Sequence, residues 1–216
     1  MTSAIIVAAG SGSRMGLNIN KVMYKLGNKR VFMYSIDTFK KYCDEIILVI
    51  SEADKDVISE LPKDIKYTFG GKTRGESVYN GLKIAKGDYV LIHDAARPFI
   101  DKNVIANIVS NKKDDEAVLT YLDSVDTLRL RNDQLELLNR DEIIRAVTPQ
   151  CANKDIMIDS YLKSFKDNLV FTDDIALISY YHKEIKIKLL KANNESFKLT
   201  YPFDLKLAEV IWRDYD

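Results

Sequence analysis

Apolar and polar positions along the chain change repeatedly between a pattern typical of buried strands and one typical of amphipathic helices. Ile5 to Val7 and Ile46 to Ile50 are short β-branched runs, whereas the apolar side chains of Val31 to Lys41 fall on one helical face. The further strand-like segments are 65–69, 89–92, 117–121 and 184–191, and the further helix-like segments are 54–60, one ending at 85, 103–110, 156–165, 175–181 and 202–212. This alternation predicts an α/β fold with a mostly parallel sheet and helices on both faces.

One segment departs from this alternation. Val125 to Leu130 and Leu135 to Leu138 are short apolar runs separated by a polar turn, which predicts a protruding β-hairpin over residues 123–142. An isolated hairpin is marginal in water, so this arm is expected to dock on a second subunit and form a homodimer. The alternative is a hairpin folded back on its own domain. No repeat or linker divides the rest, and we expect 1–216 to be a single domain.

Composition and charge narrow the functional classes. The chain has 216 residues, with 32 basic and 32 acidic side chains and a net charge of zero, which argues against a generic nucleic-acid binder. No stretch is long and apolar enough for a membrane span and no leader pattern opens the chain, so a cytoplasmic protein is expected. Cys43 and Cys151 are far apart in sequence with no nearby histidine, which disfavours a zinc site or a disulfide framework.

The first strand ends in a turn of small residues. From Ala8 to Gly12 the side chains are minimal, so backbone N–H groups can approach an anion closely, and Arg14 and Lys21 follow with full positive charges. The glycine spacing matches a dinucleotide fingerprint poorly, and Gly16 is followed by leucine, so the nucleoside-triphosphate P-loop pattern fails. The turn suits a triphosphate held by backbone amides and two cations. The alternative is an ordinary glycine-rich turn with surface charges.

A second small-residue turn opens at Gly70 and Gly71 and leads through Ser77 into a helix. A strand end, two glycines and a helix N-terminus provide outward-pointing N–H groups, and the Ser77 hydroxyl can donate or accept a hydrogen bond. A tight turn with an N-terminal cap explains the same residues.

The strand beginning at Tyr89 ends in His93 and Asp94. Ligand chemistry in open α/β sheets lies at the carboxyl ends of strands, and the Asp94 carboxylate could hold Mg²⁺ together with substrate phosphates. It could equally cap the following turn or pair with Arg97. His93 is in phase with a buried strand, which favours a structural role over that of a base.

Together these segments resemble the 2-C-methyl-D-erythritol 4-phosphate cytidylyltransferase family over nearly the whole chain. The motifs that carry the resemblance are, in order, Ala8-Ala9-Gly10-x-Gly12-x-Arg14-Met15 with Lys21, Gly70-Gly71 through Ser77, His93 to Pro98, Thr148-Pro149-Gln150, Thr172-Asp173, and Lys198-Leu199-Thr200-x-Pro202. The resemblance implies a Rossmann-like three-layer nucleotidyltransferase fold. It also implies transfer of CMP from CTP to 2-C-methyl-D-erythritol 4-phosphate, with release of pyrophosphate, on the non-mevalonate route to isoprenoid precursors.

The same resemblance implies residue roles. The catalytic cations would be Arg14 and Lys21 on the triphosphate and Arg140 and Lys198 on the acceptor phosphate. The nucleotide would lie against Ala8, Ala9, Gly10, Gly71, Ser77 and Ala95. The acceptor would also contact Arg97, Thr127 and Thr148, with Thr127 on an arm that reaches the neighbouring subunit. Asp94 would hold Mg²⁺, the divalent cofactor.

Two alternatives remain open. The ribitol-5-phosphate cytidylyltransferases share the fold and most of these residues, although the Ala-Ala-Gly turn and Ala96 look more like the methylerythritol enzymes. A nucleotide-binding protein without turnover would keep the first turn but would not need acceptor residues such as Arg140 and Lys198. The chain also departs from the family pattern at Lys72, where an acidic residue is common.

Overall fold

A computed structural model describes residues 1–10 and 20–213. The strands are β1 (Thr2–Val7), β2 (Lys25–Leu26), β3 (Lys29–Arg30), β4 (Glu45–Ile50), β5 (Lys66–Phe69), β6 (Tyr89–Asp94), β7 (Glu116–Asp123), β8 (Leu128–Arg129), β9 (Leu137–Leu138), β10 (Ile144–Asn153) and β11 (Lys186–Lys191). The α-helices are α1 (Val31–Phe39), α2 (Arg74–Ile84), α3 (Lys102–Asn111), α4 (Lys154–Asp167), α5 (Asp174–Tyr181) and α6 (Pro202–Arg213). Short 3-10 helices cover Lys21–Met23, Glu52–Glu60, Arg140–Glu142 and Asn194–Ser196. Among the described residues, no helix has the length and hydrophobicity needed to cross a membrane.

The main sheet has seven strands in the order β11-β7-β10-β6-β1-β4-β5. Strand β1 is parallel to both β4 and β6, and β11 is parallel to β7. The chain runs outward from β1 through β4 to β5 and then returns to place β6 on the other side of β1. In open α/β sheets ligands bind at such a reversal of strand order, outside the carboxyl ends of the strands.

Successive side chains of the central strands enter opposite hydrophobic layers, which explains why these strands read as continuous apolar runs. Ile6 belongs to the layer covered by α1, α3 and α6, and Ile5 to the layer covered by α2, α4 and α5. Both side chains are fully buried. The predicted α/β fold with helices on both faces is therefore confirmed.

Strand β10 is the one strand of the main sheet that the sequence pattern did not predict, and the small β2–β3 hairpin was not predicted either. Strand β10 runs antiparallel between β6 and β7, with a register shift between Val147 and Cys151. Pro149 lies inside this strand, and proline normally argues against a central strand because it cannot donate a ladder hydrogen bond. The irregular register accommodates Pro149, and its carbonyl accepts a hydrogen bond from the Thr120 hydroxyl at 2.5 Å. The result is a mixed sheet beside the functional crevice.

The arm, residues 123–142, contains the predicted hairpin. Leu128 pairs with Leu138 and Arg129 with Leu137, in antiparallel register. Val125 and Leu137 are exposed, at 70% and 58% of their surface. The hairpin pairing is as expected, while its docking on a second subunit stays a prediction.

The hairpin formed by β2 and β3 follows the first small-residue turn and packs against α6. Gly27, with φ of +62°, lies under the Trp212 ring, and a Cβ at this position would come within 2.2 Å of that ring. The Tyr24 hydroxyl donates to the Glu209 carboxylate at 3.0 Å. Helix α6 therefore supports the segment that carries Lys21.

Candidate active site

A cavity of about 430 Å³ opens at the carboxyl ends of β1 and β6. Five separate parts of the chain border it: the turn after β1, the segment at Lys21, the turn before α2, the end of β6 at Asp94, and Lys198. The predicted site residues at its wall are Ala8, Ala9, Gly10, Lys21, Gly71, Ser77, Asp94 and Lys198. The structure therefore brings together residues that the sequence separates widely.

The turn after β1 is held by the sheet and by Asn20. The Ala8 N–H donates to the Val49 carbonyl at 2.7 Å, and the Asn20 side chain donates to the Ala8 carbonyl at 3.0 Å and to Asp54 at 2.9 Å. Asn20 also begins the 3-10 helix that contains Lys21. Lys21 is only 9% exposed and borders the cavity. Arg14 lies outside the described residues.

The two small-residue turns approach each other closely. A Cβ at Gly70 would lie 2.4 Å from the Ala9 Cβ, so side chains are excluded where the turns meet. The Gly71 N–H donates to the Ser77 hydroxyl at 3.1 Å, and that hydroxyl donates to the Thr73 carbonyl at 2.9 Å. Ser77 therefore folds the turn through its own hydrogen bonds, and its proton is already used.

Asp94 lies between two cations at the end of β6. Its Oδ2 is 2.7 Å from Lys198 Nζ and its Oδ1 is 3.3 Å from Arg74 Nε. Burial raises the pKa of the Asp94 carboxyl, but the charges of Arg74 and Lys198 outweigh burial and hold this pKa well below its usual range. Asp94 is therefore ionised at neutral pH. The sequence alternative in which it pairs with Arg97 is replaced by pairing with Arg74 and Lys198.

The side chains of His93 and Thr148 hold the backbone of Asp94 in place through hydrogen bonds. His93 Nε2 is 3.1 Å from the Arg97 carbonyl, so this nitrogen carries the proton, and Nδ1 then accepts from the Thr148 hydroxyl at 3.1 Å. The Thr148 oxygen in turn accepts the Asp94 N–H at 3.1 Å. His93 is fully buried, in agreement with the structural role expected from the sequence.

The burial of His93 predicts a pH dependence of stability. Burial lowers the pKa of His93 to about 3, whereas a histidine in the unfolded chain takes up its proton near about 6.5. Between these values the unfolded state binds the extra proton, so the free energy of unfolding should fall with decreasing pH, by up to about 1.4 kcal/mol per pH unit from this group. Urea denaturation of the native chain and of His93→Gln at pH 7.5, 6 and 5 measures this slope. Equal slopes in the two proteins would contradict the assignment.

The predicted acceptor residues divide into two groups. Arg97 is not itself at the cavity wall but follows Ala96, which is. One of its guanidinium N–H groups donates to the Ser196 carbonyl at 2.9 Å, and burial lowers its pKa. Arg145, which the sequence did not single out, is exposed and also lowers the pKa of Arg97 by its charge. Arg97, Arg145 and Lys198 thus give this side of the crevice a positive potential.

Arg140 and Thr127 form the second group, on the arm. Both are exposed, and within one chain's described residues neither borders the cavity. An Arg140 guanidinium N–H donates to the Val125 carbonyl at 3.2 Å, inside the arm itself. One chain alone does not bring these two residues to the rest of the site. Ala95 is fully buried, and its neighbour Ala96 borders the cavity.

Three residues at or behind the cavity were not identified from the sequence. Asn20 and Arg74 border the cavity, and Asp174 lies fully buried behind Arg74. The signals for Asn20 and Arg74 were a cap residue directly before Lys21 and a cation at the first position of α2. Asp174 carried no signal of its own, because Asp173 beside it accounts for the helix cap through its bond with the Ala176 N–H.

The donor set fits one mode of magnesium binding. Asp94 is the only carboxylate among the described residues at the cavity wall, and no cluster of three or more potential metal ligands occurs in residues 1–10 and 20–213. Mg²⁺ is commonly bound by one or two carboxylates with substrate phosphates and water supplying the other oxygens. The site fits Mg²⁺ in that mode, with Lys198 released from Asp94.

A three-layer α/β fold whose crevice combines turns of small residues with several cations suits a nucleotidyltransferase. The 2-C-methyl-D-erythritol 4-phosphate cytidylyltransferase family model matches residues 2–214. A protein of that name from Clostridioides difficile is 37% identical over 98% of this chain and 93% of its own length. The crystal structure of a 4-diphosphocytidyl-2C-methyl-D-erythritol synthase from Anaerococcus prevotii superposes with a TM-score of 0.86 at 29% identity, covering 99% of this chain and 96% of that one.

The Thermus thermophilus enzyme of the same family, at 24% identity and a TM-score of 0.83, shares the fold and covers 99% of this chain and 100% of its own. The chain belongs to the 2-C-methyl-D-erythritol 4-phosphate cytidylyltransferase family.

Proposed function

We propose that this protein transfers CMP from CTP to 2-C-methyl-D-erythritol 4-phosphate and releases pyrophosphate, a step on the non-mevalonate route to isoprenoid precursors. An oxygen of the acceptor phosphate attacks the α-phosphorus of CTP, and the bond from that phosphorus to the pyrophosphate oxygen breaks. The observation that carries the proposal is the convergence of Lys21, Asp94 and Lys198 with two turns of small residues in one cavity.

No general base is needed for this reaction. The second pKa of a phosphate monoester is about 6, so the attacking oxygen is largely ionised at neutral pH. His93, the histidine nearest the crevice, is buried, neutral and engaged at both ring nitrogens, which fits a site that works without proton abstraction. Catalysis then consists of positioning two anions and stabilising charge on the reacting phosphates.

The nucleotide half of the cavity suits CTP. The turns at Ala8 to Gly10 and at Gly71 line this part of the cavity and are proposed to lie against the base and the ribose, with Ser77 holding the second turn in shape. Arg14 and Lys21 are proposed to hold the triphosphate and to stabilise charge as it develops on the α-phosphate. Lys72 also borders this part of the cavity and provides another positive charge.

The acceptor half relies on Lys198 and Arg97, together with Arg140 and Thr127 from an arm. The segment of Lys198 is held next to the cavity because the N–H of the following residue, Leu199, donates to the Ala96 carbonyl at 2.8 Å. Thr148 is proposed to contribute mainly by holding Asp94 in place. Mg²⁺ bound by Asp94 would neutralise phosphate charge and orient the triphosphate.

The arm is proposed to serve a second copy of the chain. Its exposed apolar side chains, and the fact that Arg140 does not line the cavity described within its own chain, support a symmetric pair in which each arm reaches the other subunit. In an isologous dimer both contacts form at once. Each active site would then contain Lys21 from one subunit and Arg140 from its partner.

Mixing two inactive variants tests this shared site. Lys21→Ala and Arg140→Ala should each retain only a small fraction of native turnover alone, but a dimer formed from one of each contains one site with both residues intact. Random exchange of subunits should restore about a quarter of the native sites, since about half of the dimers are mixed and one site in each is complete. Pyrophosphate release after co-refolding measures the recovery, with Lys21→Ala mixed with Lys198→Ala as the control that should stay inactive. Recovery no greater than this control would place Arg140 in its own subunit's site.

The reaction itself is tested by a Mg²⁺-dependent assay of pyrophosphate release. It crosses CTP, UTP, ATP and GTP with 2-C-methyl-D-erythritol 4-phosphate and ribitol 5-phosphate. The proposal requires turnover with CTP and the methylerythritol acceptor well above every other combination. Preference for ribitol 5-phosphate would assign the chain to the related activity, and tight CTP binding without product would indicate a binding protein.

A further inference from the structure

Arg74 bridges two carboxylates that lie on opposite sides of it. Both terminal nitrogens contact Asp174, at 3.0 and 2.9 Å, in a bidentate pair, while Nε is 3.3 Å from the Asp94 carboxylate. A guanidinium is planar and rigid, so the pair with Asp174 fixes the direction in which Nε points. Arg74 therefore makes a strong contact behind the cavity and a long one within it.

Asp174 is the anchor of this arrangement and is fully buried. It accepts a short hydrogen bond from the Tyr161 hydroxyl of α4, and its own N–H donates to Gln150 of β10 at 3.0 Å. The next N–H of α5, from Ile175, donates to the same Gln150 oxygen at 3.1 Å. The anchor therefore depends on three elements, none of which includes Asp94.

We propose that Asp174 is a positioning residue for Asp94, acting through Arg74. With its two terminal nitrogens held by Asp174, the guanidinium steadies Asp94 Oδ1 with a single N–H, so that Oδ2 can accept a cation once Lys198 releases it. Without the Asp174 charge, the guanidinium turns to Asp94 as its one remaining counter-charge, pairs with both oxygens and competes with Mg²⁺. This inference rests on the proposed function, because it treats Asp94 as the ligand of Mg²⁺ bound with CTP.

The test compares CTP affinity with and without the metal, in the absence of any acceptor. Calorimetry gives the CTP dissociation constant in EDTA and in saturating Mg²⁺, and the ratio of the two is the metal-dependent gain. In Asp174→Asn we expect this ratio to fall roughly tenfold, the scale on which partners of metal ligands affect metal affinity. An unchanged ratio in folded Asp174→Asn would overturn the proposal.

The chain offers a matched control between the same two helices. The Tyr181 hydroxyl of α5 donates to Asp167 of α4 at 2.9 Å, an exposed counterpart of the Tyr161 and Asp174 contact. Asp167→Asn removes one charge and weakens one link between α4 and α5 without touching Arg74, and should leave the ratio unchanged. A similar loss in this control would indicate a general effect of helix packing and would also overturn the proposal.

A double variant separates positioning from simple support. Arg74→Gln combined with Asp174→Asn leaves no unpaired buried charge and no guanidinium to occupy Asp94, so the ratio should return to within about threefold of the native value. A purely structural role for Asp174 predicts no such recovery, and a tenfold loss in the double variant would overturn the inference. If Asp174→Asn does not fold, Asp174→Ser replaces it, with Asp167→Ser as the control. A loss only in Asp174→Ser supports the inference, and no loss in Asp174→Ser contradicts it.

These measurements also distinguish the two proposals. If the native chain binds no CTP, the proposed function fails. If it binds CTP with a metal-dependent gain that the variants do not alter, only the positioning role fails.

Discussion

Lys21→Ala is expected to lower turnover by roughly a hundredfold or more, which is the loss found when one preorganised charge-stabilising group is removed from an active site. Lys21 is almost fully buried at the cavity wall, where a charge acts through a lower dielectric than in water. Its position is fixed by the short helix that Asn20 begins. The ammonium therefore costs little reorganisation when charge develops on the phosphates.

Steady-state kinetics with CTP and the acceptor varied separately measures this effect. We expect most of the loss in kcat, because stabilisation of the transition state is removed, and a smaller rise in KM for CTP. Lys25→Ala is the matched control, since Lys25 is an exposed lysine of the hairpin that directly follows the short helix of Lys21. Native turnover in Lys21→Ala would exclude Lys21 from the reaction.

Asp94→Asn should cause a loss of similar size, roughly a hundredfold in kcat/KM for CTP. The loss is expected because the variant weakens metal binding and also leaves two neighbouring cations without their counter-charge. The substitution keeps the side-chain volume but removes the charge that both Arg74 and Lys198 pair with. Since Asp94 stays ionised far below neutral pH, the native enzyme should lose no activity from protonation of Asp94 between pH 8 and pH 5. Any loss below about pH 6 should follow protonation of the acceptor phosphate.

The measurement is a titration of turnover with Mg²⁺ at fixed CTP, together with thermal denaturation to check the fold. Asp94→Asn should need considerably more Mg²⁺ for half-maximal turnover. Asp88→Asn, an exposed aspartate before the same strand whose partner is the N-terminal amine, should behave like the native chain. A native Mg²⁺ requirement in Asp94→Asn would remove this residue from the metal site.

The layered fold could be predicted from the sequence because strands of a parallel sheet are buried on both faces and therefore consist of continuous apolar residues. Ile46 to Ile50 is apolar throughout, and the following helices repeat with the expected period. Strand β10 has no such continuous apolar run. Pro149 and exposed Arg145 and Ala146 interrupt its pattern, and it is a strand because β6 and β7 supply partners on both sides.

The site could be predicted only where a residue's type and its place in a local motif indicate its role. Glycines and alanines at strand ends indicated close approach, Lys21 was noted as a cation following the first turn, and Lys198 entered through family resemblance. The pairing of Asp94 with Arg74 was not accessible, because it depends on the angle at which α2 leaves its turn. Asp174 was hidden for a related reason: its partners Arg74, Gln150 and Tyr161 come together only in the folded chain.

The contact between Gly27 and Trp212 gives this protein a built-in optical reporter. Trp212 is the only tryptophan in the sequence, and its indole ring covers the hairpin that follows Lys21. Its emission spectrum therefore senses the environment of one small region adjoining the nucleotide site, whereas circular dichroism averages over every helix. A titration that changes fluorescence while leaving the far-ultraviolet spectrum constant would follow local rearrangement there, with no label attached.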